Sequence, residues 1–193
     1  MIETKILFNS VISDAKKGVW FASMDLKDMF LKTIMKTLEY MQVHIKYFPA
    51  DIIKKYNLQP LISNDHIYVK IKKGMYGLKQ AAVIAFYQLS DLLKAEGYYQ
   101  IPSSLGMWKH ASQNIIFNLC VDDFGIKYYN KEDVHHLIQT MQKIYGAKID
   151  WSERIFFGFK LDWDYKKGTV KLLMPGYIEK ACQRLNHPPP NTK

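Results

Sequence analysis

Cysteine is almost missing from this chain: there are two in 193 residues, Cys120 and Cys182, with no C-x-x-C and no framework spacing. That excludes a disulfide-built secreted scaffold and a cysteine zinc site, and it favours a reducing, cytoplasmic setting. No apolar run reaches the roughly 20 residues that a spanning helix needs. The opening stretch MIETKILFNSVISDAKKG carries Glu3, Lys5 and Asp14 where a secretory leader would be continuously apolar, so a soluble, uncleaved chain with no membrane partner is expected. Histidine is sparse. Of the six, His135 and His136 are adjacent on an expected helix, where neighbours point to different faces, so both read as surface residues rather than ligands. Acid is short as well, with 18 Asp and Glu against 27 Lys and Arg and a formal net charge of +9. No internal repeat is visible.

What is present is a foldable composition. With 48% hydrophobic residues the chain is expected to be globular, long enough for one sizeable core or two small ones. The excess charge is concentrated: from Lys32 to Lys79 there are nine lysines and three acids. Tyr40, Tyr47, Phe48, Tyr56, Tyr68 and Tyr76 are interleaved with them. Such a mixture can stack bases while lysines hold phosphates, or it can be a solvated lysine face over an aromatic core. Composition leaves both open.

Periodicity orders the elements. Ile2, Ile6, Phe8, Val11, Ile12 and Ala15 fall near helical spacing before Gly18, which predicts a leading helix. VWFASMDL reads as a buried strand with Asp25 at its C-terminal end. Residues 45–75, broken by Pro49, Pro60 and Gly74 and containing the alternating run HIYVKIKK, read as a hairpin-bearing insertion. YGLKQAAVIAFYQLSDLLKAEGY predicts a long amphipathic helix capped by Gly97. IIFNL and FGIKYY predict a hairpin, Asn130 caps a second helix running to Gly146, and AKIDW closes the set with a strand. The order is βαββαβ, that of a ferredoxin-like split βαβ unit in an α+β protein. RIFFGFKLDWD and TVKLLM predict a further hairpin about YKKGT. PGYIEKACQRLN predicts a helix with Pro175 near its start, and HPPP a stiff tail.

The stretch NLCVDDFGI sets Asp122 and Asp123 side by side in an apolar run. In the expected sheet the first strand neighbours the hairpin, so Asp25, Asp122 and Asp123 converge. Three clustered carboxylates repel one another unless a cation compensates, and hard oxygen ligands suit Mg²⁺ or Mn²⁺. Two such ions ~3.5–4 Å apart can clamp an in-line phosphoryl displacement. Without that convergence, VDDFG is a solvated turn and Asp25 a helix or loop cap.

At these residues the sequence resembles the reverse transcriptases of copia-type long-terminal-repeat retrotransposons. MDLKDMFL is similar to the family's first palm motif, an Asp followed five positions on by an aromatic residue. KKGMYGLKQAAVIAFYQL resembles its LYGLKQAPRAWY stretch and CVDD its YVDD. FFGFKLDWD with MPGYIEKACQRL resembles the FLGIEI hairpin and the YI helix that begins the thumb. EYMQVHIKYF resembles the EVYMKQPEGF segment of the fingers. The motifs occur in order from about Phe21 onward.

The resemblance implies a polymerase palm: a leading helix (1–18), a first palm part (19–44), a lysine-rich fingers-like insertion (45–75), a second palm part (76–165), and a hairpin end with the start of a helical thumb (166–193). It implies that Asp25 and Asp122 bridge two Mg²⁺ or Mn²⁺ ions, with Asp123 beside them and the Leu26 carbonyl as a further ligand. Phe30 matches the steric gate that excludes a 2′-hydroxyl, against the plain reading of a core phenylalanine. Tyr76, Gly77 and Gln80 match the stretch lining the incoming-nucleotide pocket. Lys148 is the candidate proton donor to pyrophosphate, with Lys143 as a rival. Implied partners are an RNA or DNA template with its primer, deoxynucleoside triphosphates, and the other parts of a polyprotein, in the cytoplasm or within virus-like particles.

Two departures stand out: Cys120 where the family has Tyr, and Ala82 where it has Pro. About twenty residues precede Phe21 where the family has an upstream fingers segment, and the thumb stops at Lys193 with no connection or RNase H part. A fragment or decayed copy of a polyprotein is therefore expected. The alternatives are a non-catalytic nucleic-acid-binding protein on a palm scaffold and, more remotely, a phosphotransfer or phosphatase domain, whose acids usually sit at strand ends of a parallel sheet.

Overall fold

The computed structural model describes residues 2–187, with Leu38 described by its backbone alone; the expected Pro188–Pro190 tail lies outside them. In chain order the elements are α1 (Ile2–Ser13), β1 (Trp20–Lys27), α2 (Met29–Lys32), β2 (Ile34–His44), α3 (Ala50–Lys55), β3 (His66–Lys73), α4 (Lys79–Ala95), β4 (Tyr98–Gln100) and β5 (Met107–His110). They continue with β6 (Ile115–Cys120), β7 (Asp123–Tyr128), α5 (Lys131–Gln142), β8 (Gly146–Asp150), β9 (Ile155–Phe156), β10 (Phe159–Asp164), β11 (Thr169–Leu173) and α6 (Tyr177–Arg184). The protein is a mixed α/β structure with antiparallel sheets. It divides into two compact units, one of Met1–Lys27 with Asp91–Lys193 and the other of Asp28–Ser90.

The larger unit is built on a six-stranded sheet in the order β4-β5-β6-β7-β1-β8. Every neighbouring pair is antiparallel. Strand β1 shows why its two faces differ. Ala22, Met24 and Leu26 are buried, while Phe21, Ser23, Asp25 and Lys27 on the other face go from buried to exposed along the strand. The core at the Phe21 end joins Leu7, Phe8 and Val11 of α1 to Phe156 and Leu161 of the β9–β11 sheet. Phe8 and Phe21 meet edge-to-face at 5.5 Å, and Phe21 and Phe156 at 5.7 Å, a geometry worth more than the buried area alone. Gly125 of β7 is required here, since a Cβ on it would come 2.8 Å from the Phe156 ring. α1 is fastened by a buried cation: Lys127 of β7, 3% exposed, pairs with Asp14 at 2.5 Å and donates to the Ser10 carbonyl at 3.0 Å.

The smaller unit holds the antiparallel β2–β3 pair. Along β3 the inward residues Ile67, Val69 and Ile71 alternate with the outward Tyr68, Lys70 and Lys72. Gly74 closes it against α2: its N–H donates to the Thr33 carbonyl at 2.9 Å, and a Cβ there would come 2.7 Å from the Phe30 carbonyl oxygen.

Several expectations are amended. The hairpin partner of HIYVKIKK is β2, upstream of residue 45, because the chain returns across residues 45–65 to pair with it. Strands β4 and β5, not anticipated from the sequence, extend the main sheet. Asn130 stands at the N-cap of α5 with extended backbone but makes no capping side-chain bond, and α5 ends at Gln142, so Gly146 opens β8 instead of capping the helix. His136 is not a plain surface residue: it is half-buried, its Nδ1 2.8 Å from the Tyr98 hydroxyl, and burial lowers its affinity for a proton. Among the described residues both cysteines are free and no helix is long and apolar enough to cross a membrane.

Candidate active site

One row of side chains crosses four strands of the main sheet. Cys120 of β6 pairs with Asp123 of β7, Asp123 with Asp25 of β1, and Asp25 with Lys148 of β8. Directly opposite residues share a face, so two carboxylates and an ammonium stand side by side on the sheet face whose other end, at Phe21, the aromatic core covers. The next row places Gly125, Ser23 and Asp150 beside them. Asp25, Asp123, Lys148 and Asp150 line a cavity of about 540 Å³, closed on one side by the tip of the β9–β10 hairpin at Phe156, Phe157 and Gly158. Phe157 and Gly158 have φ of 50° and 73°, and Ser23 Oγ holds the hairpin by donating to the Ile155 carbonyl at 3.0 Å.

Asp122 occupies the two-residue turn between β6 and β7 together with Val121, and its carbonyl accepts from the Leu26 N–H at 3.0 Å. The expected hairpin tip is thus Val121–Asp122, with Asp123 already in the strand. Val121 has φ 59°, a left-handed conformation that a β-branched residue resists at a cost of about 1–3 kcal/mol. Burial, then the charges of Asp122 and Asp25, push the Asp123 carboxyl above its ordinary range. Lys143, the rival of Lys148, is engaged elsewhere, in an ion pair with Glu96 at 2.6 Å.

The nucleotide-side candidates belong to the smaller unit. Phe30, on α2, is 7% exposed and meets the ring of Tyr76 edge-on at 4.8 Å. Gly77 has φ 92°, a conformation that glycine adopts freely. Gln80, in the first turn of α4, accepts from Thr37 Oγ1 at 2.5 Å and donates to Glu39 Oε1 at 2.7 Å. Asp150 and the hairpin tip were missed in the sequence. The available signal was period two, since Asp150 follows Lys148 on the same strand face.

Among the described residues no three His, Cys, Asp or Glu side chains form a ready-made metal cage. The acids nevertheless fit a hard divalent cation of the Mg²⁺ kind, which is commonly held by one or two carboxylates and completes its shell with water and phosphate oxygens. Burial first, and then the charges of Asp122 and Asp25, raise the Asp123 carboxyl; a cation there would offset the second of these.

Residues 13–193 match the family model described as reverse transcriptase (RNA-dependent DNA polymerase). The chain belongs to the reverse transcriptase family. It is 26% identical over 191 residues to the retrovirus-related Pol polyprotein from transposon TNT 1-94 of Nicotiana tabacum, a match covering 90% of this chain and 14% of that one. The copia-type resemblance is supported accordingly. This reverse transcriptase sequence spans only that small part of its curated relative. Among solved structures it is similar to apo telomerase from Candida Tropicalis truncated from the C-terminal domain, at TM-score 0.44 and 13% identity over 89% of this chain and 39% of that one. It is also similar to telomerase from Candida albicans in complex with the TWJ fragment of telomeric RNA, at TM-score 0.43 and 12% identity over 86% and 33%. Likeness at this level carries no weight for function.

Proposed function

We propose that this chain is the polymerising portion of a copia-type reverse transcriptase, acting as an RNA-directed DNA polymerase on a primed RNA or DNA template with deoxynucleoside triphosphates. The observation that carries the reading is the cross-strand row of Asp123, Asp25 and Lys148 around one cavity. In this reading the β6-β7-β1-β8 portion of the sheet is the ferredoxin-like polymerase palm, residues 45–75 belong to the fingers, and α6 begins the thumb. The proposed setting is the cytoplasm or a virus-like particle, with the other parts of a polyprotein as companions.

Asp25, Asp122 and Asp123 would hold divalent cations, Mg²⁺ or Mn²⁺ and two in number, whose chemistry is to activate the primer hydroxyl and to neutralise the leaving pyrophosphate. In this reading the Leu26 carbonyl would add a further oxygen ligand. Lys148 holds a proton at Nζ for the pyrophosphate as it leaves. Phe30, backed by the edge of Tyr76, occupies the space of a 2′-hydroxyl and so selects deoxyribose. Tyr76, Gly77 and Gln80 line the nucleotide pocket, with Gln80 oriented by Thr37 and Glu39.

A second reading, a non-catalytic protein that binds nucleic acid on the same scaffold, is favoured by the outer face of β2–β3. There Tyr40 and Tyr68 are exposed, with Lys70 paired to Tyr40 across the strands. Stacking rings beside lysines suit a single strand.

Primer extension on a homopolymeric RNA template with Mg²⁺ or Mn²⁺ separates the two. Polymerisation by the parent that Asp122→Asn lowers by about 10²-fold or more supports the first. Equal extension by both removes the acid assignment. Salt-sensitive duplex binding without extension supports the second.

A further inference from the structure

The cross-strand row that runs through the acids ends at Cys120, and beside it lies a second cavity of about 420 Å³ that the proposed catalysis does not use. It is walled by Phe8 of α1, by Phe156, Phe157 and Phe159 of the β9–β10 hairpin, and by Leu172 of β11. Two buried polar side chains line it as well. Thr4 Oγ1 donates to Asn118 Oδ1 at 3.1 Å, and Asn118 Nδ2 donates to the Gly106 carbonyl at 3.3 Å, which uses one of the two amide hydrogens.

We propose that this cavity is a binding site for a small aromatic molecule carrying one hydroxyl, a ligand of the phenol class. The volume lies near the lower end of the range of small-molecule pockets, and mostly apolar walls with a few fixed polar groups are what such pockets present. The ring comes from the chemistry of the walls. Phe8 and Phe156 already meet at 6.2 Å and 67°, and a further ring can join this edge-to-face cluster. The hydroxyl comes from the Thr4–Asn118 pair, the buried donor and acceptor of a wall whose charged members, Glu3 and Lys5, are half-buried and exposed. Cys120 leaves the room: it is a small residue lining the cavity where the resembled family has tyrosine. This inference does not depend on catalysis by the chain.

The experiment is a titration of the full chain with p-cresol, followed by its thermal midpoint and by N-ethylmaleimide labelling of Cys120 and Cys182, read by peptide mass. A saturable rise in midpoint is expected, together with labelling of Cys120 slowed about tenfold at ten times the Kd and labelling of Cys182 unchanged. Cys120→Ser keeps the rise. Cys120→Tyr, whose ring fills the space, loses it, and so does Leu172→Trp, a second filling variant at a half-exposed position. No rise up to millimolar p-cresol overturns the proposal. So does an equal rise in both filling variants, or equal slowing at both cysteines.

Discussion

Asp25 stands directly opposite Asp123 on a neighbouring antiparallel strand, so two carboxylates meet where a sheet ordinarily sets opposite charges. Like charges in that position destabilise a sheet by roughly 0.2–1 kcal/mol. Burial, with Asp122 and Asp25 nearby, raises the Asp123 carboxyl above its ordinary range, so the folded chain keeps a proton there that the unfolded chain releases. Stability from this group therefore falls as pH rises from the ordinary Asp value of about 3.9 through the folded one. Asp123→Asn is expected to raise the thermal midpoint by about 1–4 °C at pH 7 in chelator, with the gain vanishing below pH ~3.5. Mn²⁺ is expected to stabilise the parent and not the variant. Calorimetry in EDTA and in Mn²⁺ checks both; a lower midpoint for the variant, with equal Mn²⁺ shifts, would refute the account.

That pairing was legible in the sequence, because two acids inside an apolar run and a third at the end of another strand leave few arrangements in a βαββαβ order. The leading helix, α4 and the β10–β11 hairpin were legible for the same reason: each has an uninterrupted period and a glycine stop. Strand β2 was not. The register shifts between Ile34 and Glu39, and a shift of that kind breaks the alternation that marks a strand. Strands β4 and β5 are three and four residues long, too short for period two to show, and Pro102 and Gly106 between them read as loop. The Phe8–Phe21–Phe156 cluster and the Lys127–Asp14 pair join residues distant in sequence, so no local pattern announces them.

The Lys127–Asp14 pair gives the second prediction. Lys127 is buried at 3% exposure and shares the Asp14 carboxylate with the Tyr129 hydroxyl, 2.8 Å away. Hydrogen bonds from Lys127, Lys17 and Tyr129 hold the Asp14 carboxyl well below the usual carboxylate range. A depressed folded pKa contributes stability that is present above the unfolded value of about 3.9 and is lost as pH falls. Asp14→Asn leaves a buried ammonium without its counter-charge and is expected to cost about 3 kcal/mol at pH 7. The difference from the parent should shrink as pH falls below ~4. Urea unfolding at pH 7 and pH 3.5 checks this; a loss under ~0.5 kcal/mol at pH 7 would mean that the Ser10 oxygens alone satisfy Lys127.

The last prediction decides between the two lysines. Lys148 pairs across the strand with Asp25 and lines the carboxylate cavity, whereas Lys143 is tied to Glu96 at 2.6 Å and is half-exposed. A proton donor acts in the chemical step, so Lys148→Ala is expected to lower kcat about 10²-fold with little change in KM for the incoming nucleotide. Lys148→Arg should keep the charge but recover only part of the rate, because guanidinium gives up its proton far less readily than an ammonium does. Lys143→Ala removes only a surface ion pair worth less than about 1 kcal/mol, so its kcat should stay close to the parent's. Single-turnover nucleotide addition across pH 6–10 distinguishes the cases, and the opposite ranking of the two alanine variants would move the proton-donating role to Lys143.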